Sequence, residues 1–180
     1  MVNRYVKYTH RKNSTKMKKD EKDKEVSLKN VITSDRKYLL SYGVSGFRVL
    51  DPAVMSILHG DEHQRANMFL NGFKTGKLLV REGLVTSLES LQRFLFENQI
   101  MILDIYKILD KEIELRVYES LRVSGLPNIG KPICHYETGL FKGVLQEILD
   151  KKVKVRETKC KAQGYPYCQF KVVTKYYDKL

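Results

Sequence analysis

The sequence lacks any apolar run long enough to cross a bilayer, which excludes a transmembrane helix. Its N-terminus lacks the apolar core of a secretory signal, so the expected address is the cytoplasm. It also lacks a Gly-x-Gly-x-x-Gly or phosphate loop, and Lys142-Gly143 and Lys74-x-Gly76 are isolated, so nothing points to nucleotide or nicotinamide binding. Histidine is scarce, with four in 180 residues. His10 lies in a basic N-terminal stretch. His59 and His63 are four apart, but Gly60 breaks the helix that a metal-binding pair would need. No Ser or Cys nucleophile with a base can be assembled from spacing. Acidic residues are the minority, 21 against 33 Lys and Arg, for a net charge of +12. That excess suits a polyanionic partner. Residues 1–30, however, hold ten Lys/Arg against four Asp/Glu, half of the excess. This stretch has too few apolar residues to offset the entropy of ordering and reads as a solvated tail. Nucleic-acid contact through it is the secondary reading; Tyr5 and Tyr8 are too few to form a stacking platform.

Cysteine is equally scarce but concentrated. All three, Cys134, Cys160 and Cys168, fall within thirty-five residues, and Glu157 stands three residues before the second. The segment from Arg156 to Cys168 reads as a strand end, a loop punctuated by Gly164 and Pro166, and a returning strand. The hairpin brings Glu157, Cys160 and Cys168 together, and Cys134, at the head of the preceding amphipathic stretch, is the natural fourth corner. Three sulfurs and one oxygen form an adequate tetrahedral set for zinc. Strand parity adds a condition. Val153, Val155 and Glu157 share one face, so Cys160 points away unless the chain turns or bulges after Glu157. A dication with three thiolates and a carboxylate carries about −2, which Lys154, Arg156, Lys159 and Lys161 stand nearby to offset. The alternatives are free, buried or disulfide-bonded cysteines, of which an odd count leaves one over, and His135 replacing Glu157 as ligand. A zinc closed by four protein ligands has no open position and holds structure rather than catalysing.

The pattern Cys134…Gly139…Gly143…Glu157-x-x-Cys160-x-x-x-Gly164-x-x-x-Cys168-x-Phe170 resembles the signature of the vinyl-4-reductase (4-vinyl reductase) domain family, in particular its small stand-alone archaeal members. The resemblance spans residues 35 to 175 and is specific in the last forty. It implies a zinc held by Cys134, Glu157, Cys160 and Cys168, a homodimer, and a ligand-binding domain over residues 31–180. In the family's aromatic sensors a Trp and a His line the pocket. This chain contains no Trp, so phenol specificity is not carried over.

Local patterns place the elements. Asp51-Pro52 starts a short helix to about His59, and Asp61 caps a long one to about Arg81, with Ala66, Phe69, Phe73, Gly76 and Val80 along one side. Gly72 and Gly76 leave that helix open to close approach by another backbone. Gly83 ends it. Thr86-x-x-Glu89 reads as a capping box for a third helix to about Glu97. The period then becomes two: Gln99 to Leu109, a turn at Asp110-Lys111, then Glu112 to Val117 with Ile113, Leu115 and Val117 inward. Residues 124–131 are loop. A helix from about Cys134 to Leu149 buries Leu140, Phe141, Val144, Leu145 and Ile148, and strands follow near 151–158 and 165–174. The expected fold is α+β, helices on one face of a four-stranded, mainly antiparallel sheet with a zinc-stapled C-terminal hairpin.

The function this supports first is a zinc-stabilised module binding a small hydrophobic molecule, non-enzymatic, between helices and sheet, with Phe69, Phe73, Phe141 and Val155 at the pocket. The alternatives are an accessory or reductase protein in tetrapyrrole metabolism, which needs an electron source the sequence does not reveal, and a nucleic-acid or protein interaction module. The last would use the tail and the basic strand from Lys151 to Arg156.

Overall fold

The computed structural model describes residue 29, residues 33–51, 54–55 and 64–174, apart from the side chains of Ser45 and Val49. The rest of the basic tail, Asp61, His10, His59 and His63 lie outside the described residues. Of the helix expected from Asp51, Val54 and Met55 are described, and the Asp51 carbonyl accepts their N–H groups at 3.1 and 3.0 Å. The remainder lies outside as well.

The chain forms an α+β fold. Helix α1 (Val44–Leu50) is followed by α2 (Gln64–Arg81), α3 (Leu88–Glu97), strands β1 (Ile102–Leu109) and β2 (Glu112–Tyr118), helix α4 (His135–Leu149), and strands β3 (Val153–Lys159) and β4 (Cys168–Thr174). The sheet order is β1-β2-β4-β3 and every neighbouring pair is antiparallel. Val153 and Val155 of β3, the alternate residues of β2 and Val172 of β4 all lie in one core with Leu140, Phe141, Val144 and Leu145 of α4. Phe141 meets Phe170 edge to face at 4.9 Å, a geometry that adds to simple burial.

Two boundaries move from where local patterns put them. The third helix is capped by Ser87 rather than Thr86. The Ser87 hydroxyl accepts the Ser90 N–H (3.1 Å), and the Ser90 hydroxyl accepts the Ser87 N–H (2.8 Å). The reciprocal arrangement is a capping box built by two serines, so Glu89 is not needed to close it. Strand β1 starts at Ile102, not Gln99, because α3 winds off first. Gln99 has φ +57°, and the N–H of Ile100 returns to the Leu95 carbonyl at 2.9 Å. Helix α1 carried no sequence signal.

Helix α2 packs on α4 through four glycines, and Ala66 is exposed rather than part of the seam. A Cβ at Gly72 or Gly76 would strike backbone of α4, and one at Gly139 or Gly143 would strike backbone of α2; Gly76 and Gly143 face each other, the added Cβ of one lying 3.1 Å from the Cα of the other. The close approach expected at Gly72 and Gly76 is therefore made by α4 of the same chain.

The N-terminal segment is tied on by polar groups. Arg48, fully buried, donates to the carbonyls of Leu121 (2.6 Å), Thr33 and Ser124. The Glu119 carboxylate accepts the N–H groups of Lys37, Tyr38 and Leu39 at 2.8–3.1 Å. Among the described residues no helix is long and apolar enough to cross a membrane.

Candidate metal centre and adjoining groove

Register explains how residues far apart in sequence meet. On β4, Cys168 pairs with Val117 and Phe170 with Glu157, so all four point to the face on which the helices lie. The pairing of β3 with β4 then shifts between Glu157 and Lys159. This is the irregularity that parity demanded: it reverses the facing of the chain, and Cys160 turns inward and becomes wholly buried. A single 3-10 turn, Lys161–Gln163, closes back on the Cys160 carbonyl through the Gln163 N–H (2.9 Å). Cys134 arrives from above as the residue capping α4.

The ligand atoms of Cys134, Glu157, Cys160 and Cys168 all lie within 4.8 Å of one another. The sulfur separations are 3.5 Å (Cys134 to Cys168), 3.8 Å (Cys134 to Cys160) and 3.9 Å (Cys160 to Cys168). A metal–sulfur bond of about 2.3 Å requires a tetrahedron edge of about 3.8 Å. All three cysteines are free thiols. Glu157 Oε2 accepts the Cys134 N–H at 3.1 Å, while its Oε1 is buried with no hydrogen-bond partner. A buried carboxylate oxygen left without a partner is costly, and a cation at the cluster would satisfy it. His135, the rival fourth ligand, is not in the cluster. The set can hold a metal ion.

The titration of the four groups expresses the same crowding. Burial pushes the Glu157 carboxyl up to about 10, and the neighbouring Cys160 sulfur adds to it. Cys134 is pushed well above the thiol range by its hydrogen bonds to Cys160 and Cys168 and by burial. For Cys160 the hydrogen bond to Cys134 acts downward, but the bond to Cys168 and burial outweigh it, giving about 11. Hydrogen bonding with Cys134 and Cys160 draws Cys168 down to about 6. Without a cation the cluster thus keeps most of its protons.

The expected electrostatic neighbours act differently. Lys161 donates its backbone N–H to Cys168 Sγ (3.4 Å), while its ammonium pairs with Asp35. The Lys159 ammonium donates to the Tyr167 hydroxyl (3.3 Å). Sequence reasoning missed Glu137, three residues into α4 from Cys134. It is buried, its carboxyl is raised by burial, and its Oε1 lies 3.9 Å from Arg122 Nε.

An open groove of about 680 Å³ runs between α2, α4 and the edge strand β3, lined by Phe69, Phe73, Lys142, Gln146 and residues 152–155. It contains three of the four residues expected at a pocket: Phe69, Phe73 and Val155. Phe141 is elsewhere, fully buried against Phe170 in the core. Lys142, isolated in the sequence, stands over the groove floor, its Nζ 5.4 Å from the Phe69 ring centroid and 5.5 Å from that of Phe73.

Residues 113–174 match the model of the V4R domain. The protein MJ0150 of Methanocaldococcus jannaschii, described as uncharacterized, is 39% identical over 93 residues, 52% of this chain and 53% of that one. The chain spans about half or less of the length of the first two curated relatives it matches, 39% and 53%. Among solved structures, a vinyl-4-reductase family protein from Methanocaldococcus jannaschii superposes with a TM-score of 0.54 at 19% identity, over 83% of this chain and 92% of that one. The phenol-responsive sensory domain of the transcription activator PoxR, solved with phenol, gives a TM-score of 0.54 at 16% identity over 80% of each chain. At these identities the likeness establishes the fold. The resemblance drawn from the cysteine signature is borne out.

Proposed function

We propose, proceeding from the V4R domain match over residues 113–174, that this chain is a sensor-type module binding a small hydrophobic molecule, its groove braced by a structural zinc ion. One observation carries the reading: α4 and β3 each contribute both to the groove and to the metal cluster. Helix α4 contributes Cys134 to the cluster and Lys142 and Gln146 to the groove; β3 contributes Glu157 to the cluster and Val153 and Val155 to the groove. An ion at the cluster fixes how α4 lies on β3, and that angle sets the width of the groove. A ligand that fits one width better than another shifts the population of helix positions.

Zinc is the ion this donor set favours. Three thiolates and one carboxylate at tetrahedral spacing suit a borderline-soft ion with no geometric preference of its own. Held by Cys134, Glu157, Cys160 and Cys168, it would cross-link the helix to the hairpin and leave no position for a substrate. Small-molecule binding is supported by the fold's likeness to the sensory domain of PoxR, which was solved with phenol. Phenol itself is not carried over as the ligand, since this chain contains no Trp.

A homodimer belongs to the same reading. Its support lies in the outer half of β1, an edge strand where Tyr106, Ile108 and Leu109 are 50%, 62% and 48% exposed. The glycine face of α2 lends none, being covered by α4.

The test uses the neutral dye Nile red and the zinc-loaded full chain. Saturable binding is expected, abolished by Gln146→Trp, which fills the groove from its rim, and weakened when a chelator removes the metal. Binding that ignores both changes would place the ligand elsewhere and sink the reading.

A further inference from the structure

The groove has an apolar floor and a rim of one charge. Phe69, Phe73, Val153 and Val155 supply the floor; Lys142, Lys152 and Lys154 supply the rim, with Gln146 and no acidic residue. Several cations elsewhere are paired: Lys77 and Arg81 with Glu147, Arg122 with Asp51, Lys161 with Asp35, Lys171 with Glu112. Among the described residues, Lys142 and Lys154 have no carboxylate within ion-pair distance; the contacts of Lys142 are to the faces of Phe69 and Phe73. Two ammonium groups without carboxylate partners beside buried valines and half-buried aromatic rings form a surface with one apolar and one cationic part.

We propose that the groove takes a single-chain anionic amphiphile, its apolar body along Phe69, Phe73, Val153 and Val155 and its carboxylate between Lys142 and Lys154. This rests on the small-molecule reading above and names the class of ligand. Charge complementarity selects the head: an anion gains from a rim that repels cations, and a neutral head gains nothing from it. Shape selects a monomer over a lipid surface. The cavity of 680 Å³ falls within the range of about 300–1,000 Å³ common for small-molecule sites, and a flat bilayer cannot fill a cleft between two helices and a strand. The body of the ligand is stabilised by burial at about 25 cal/mol per Å².

The experiment compares three twelve-carbon probes on the zinc-loaded chain, the two ionic ones below their micellar concentrations and dodecanol below its solubility limit, read by displacement of Nile red. Laurate is expected to bind about tenfold more tightly than dodecanol, and dodecyltrimethylammonium more weakly than either. The pair Lys142→Gln and Lys154→Gln, both at partly or fully exposed positions, is expected to remove that tenfold preference for laurate over dodecanol. Equal affinity for laurate and dodecanol would overturn the anionic ligand while leaving hydrophobic binding standing. No binding of any probe, or of Nile red itself, would remove both readings. Binding only to anionic vesicles, and not to monomeric laurate, would overturn the proposal in favour of a lipid surface.

Discussion

At the scale of single residues, the metal cluster is governed by protons. Glu157 and Cys160 titrate near 10 and 11, Cys134 well above the thiol range, and Cys168 near 6. Near pH 7 only Cys168 is therefore ionised without a cation, and loading a dication expels about three protons. Affinity for zinc should fall about a thousandfold for each unit that pH is lowered between 8 and 6.5. Calorimetry in buffers of different ionisation enthalpy counts the protons directly; release of one or fewer would show that the cluster is preformed as anions. The sign for folding follows from the same shifts. A carboxyl raised to about 10 favours the folded state while protonated, so its contribution is present below about pH 4.5 and lost as pH rises toward 10. Cys168, lowered to about 6, contributes in the opposite sense from about pH 6 to 9. Metal-free protein should thus lose stability between about pH 4.5 and 6 and again above about pH 9, where Cys134 and Cys160 add to the loss and Cys168 no longer offsets it, and thermal melts across pH measure this. Replacing Cys160 by Ser should cost about 3 kcal/mol or more and eliminate stoichiometric zinc. A Cys160→Ser protein that melts unchanged and keeps its metal would place the site elsewhere.

At the scale of elements, the crossing of α2 and α4 is the tightest constraint, because backbone meets backbone and no side chain can yield. Gly76→Ala and Gly143→Ala should each destabilise by about 3 kcal/mol, since the helices must separate to admit the methyl group. Gly46→Ala on α1 is the control within the same molecule. Nothing lies within 4 Å of a Cβ there, so the change should be neutral or stabilise by up to about 1 kcal/mol. Chemical denaturation of the three variants checks the contrast, and equal effects would mean the helices are not in backbone contact.

At the scale of the whole molecule, residues 33–51 are fastened to the domain by buried polar groups as well as by the buried side chains of Leu39 and Val44. Arg48→Met leaves the carbonyls of Thr33, Leu121 and Ser124 without their donor, and should cost about 3–5 kcal/mol. Arg48→Lys should recover only part, since an ammonium lacks the planar fork. Deleting residues 1–30 should leave the melting temperature within about 2 °C, as expected of a solvated tail. A larger fall would mean that the tail packs on the domain. Light scattering at micromolar concentration should give twice the mass of one chain. A single-chain mass would remove the dimer, and Ile108→Lys on the β1 edge should produce that monomer if the edge is the interface.

What the sequence by itself determined is what short-range periodicity can encode. The alternation of Ile113, Leu115 and Val117, the parity that required a shift after Glu157, and the eight-residue spacing of Cys160 and Cys168 are local, and the structure keeps them. Three of the four cluster residues belong to one hairpin, and the fourth begins the preceding helix, so little of the site depended on the rest of the fold. Tertiary structure decided the remainder. Gly72 and Gly76 signalled a close approach but not that the approaching backbone is α4, since a glycine states only that room is needed. Phe69, Phe73 and Phe141 look alike in sequence; packing sends the first two to the groove and the third to the core because residues on one helix are assigned by the neighbours they meet. Lys142 and Lys154 gained a shared role only when α4 was laid against β3, and Arg48 found its three carbonyls only when residues 33–51 closed over the loop after β2. Those contacts join chain segments separated by more than ten residues, where no repeat or cap carries information about the partner.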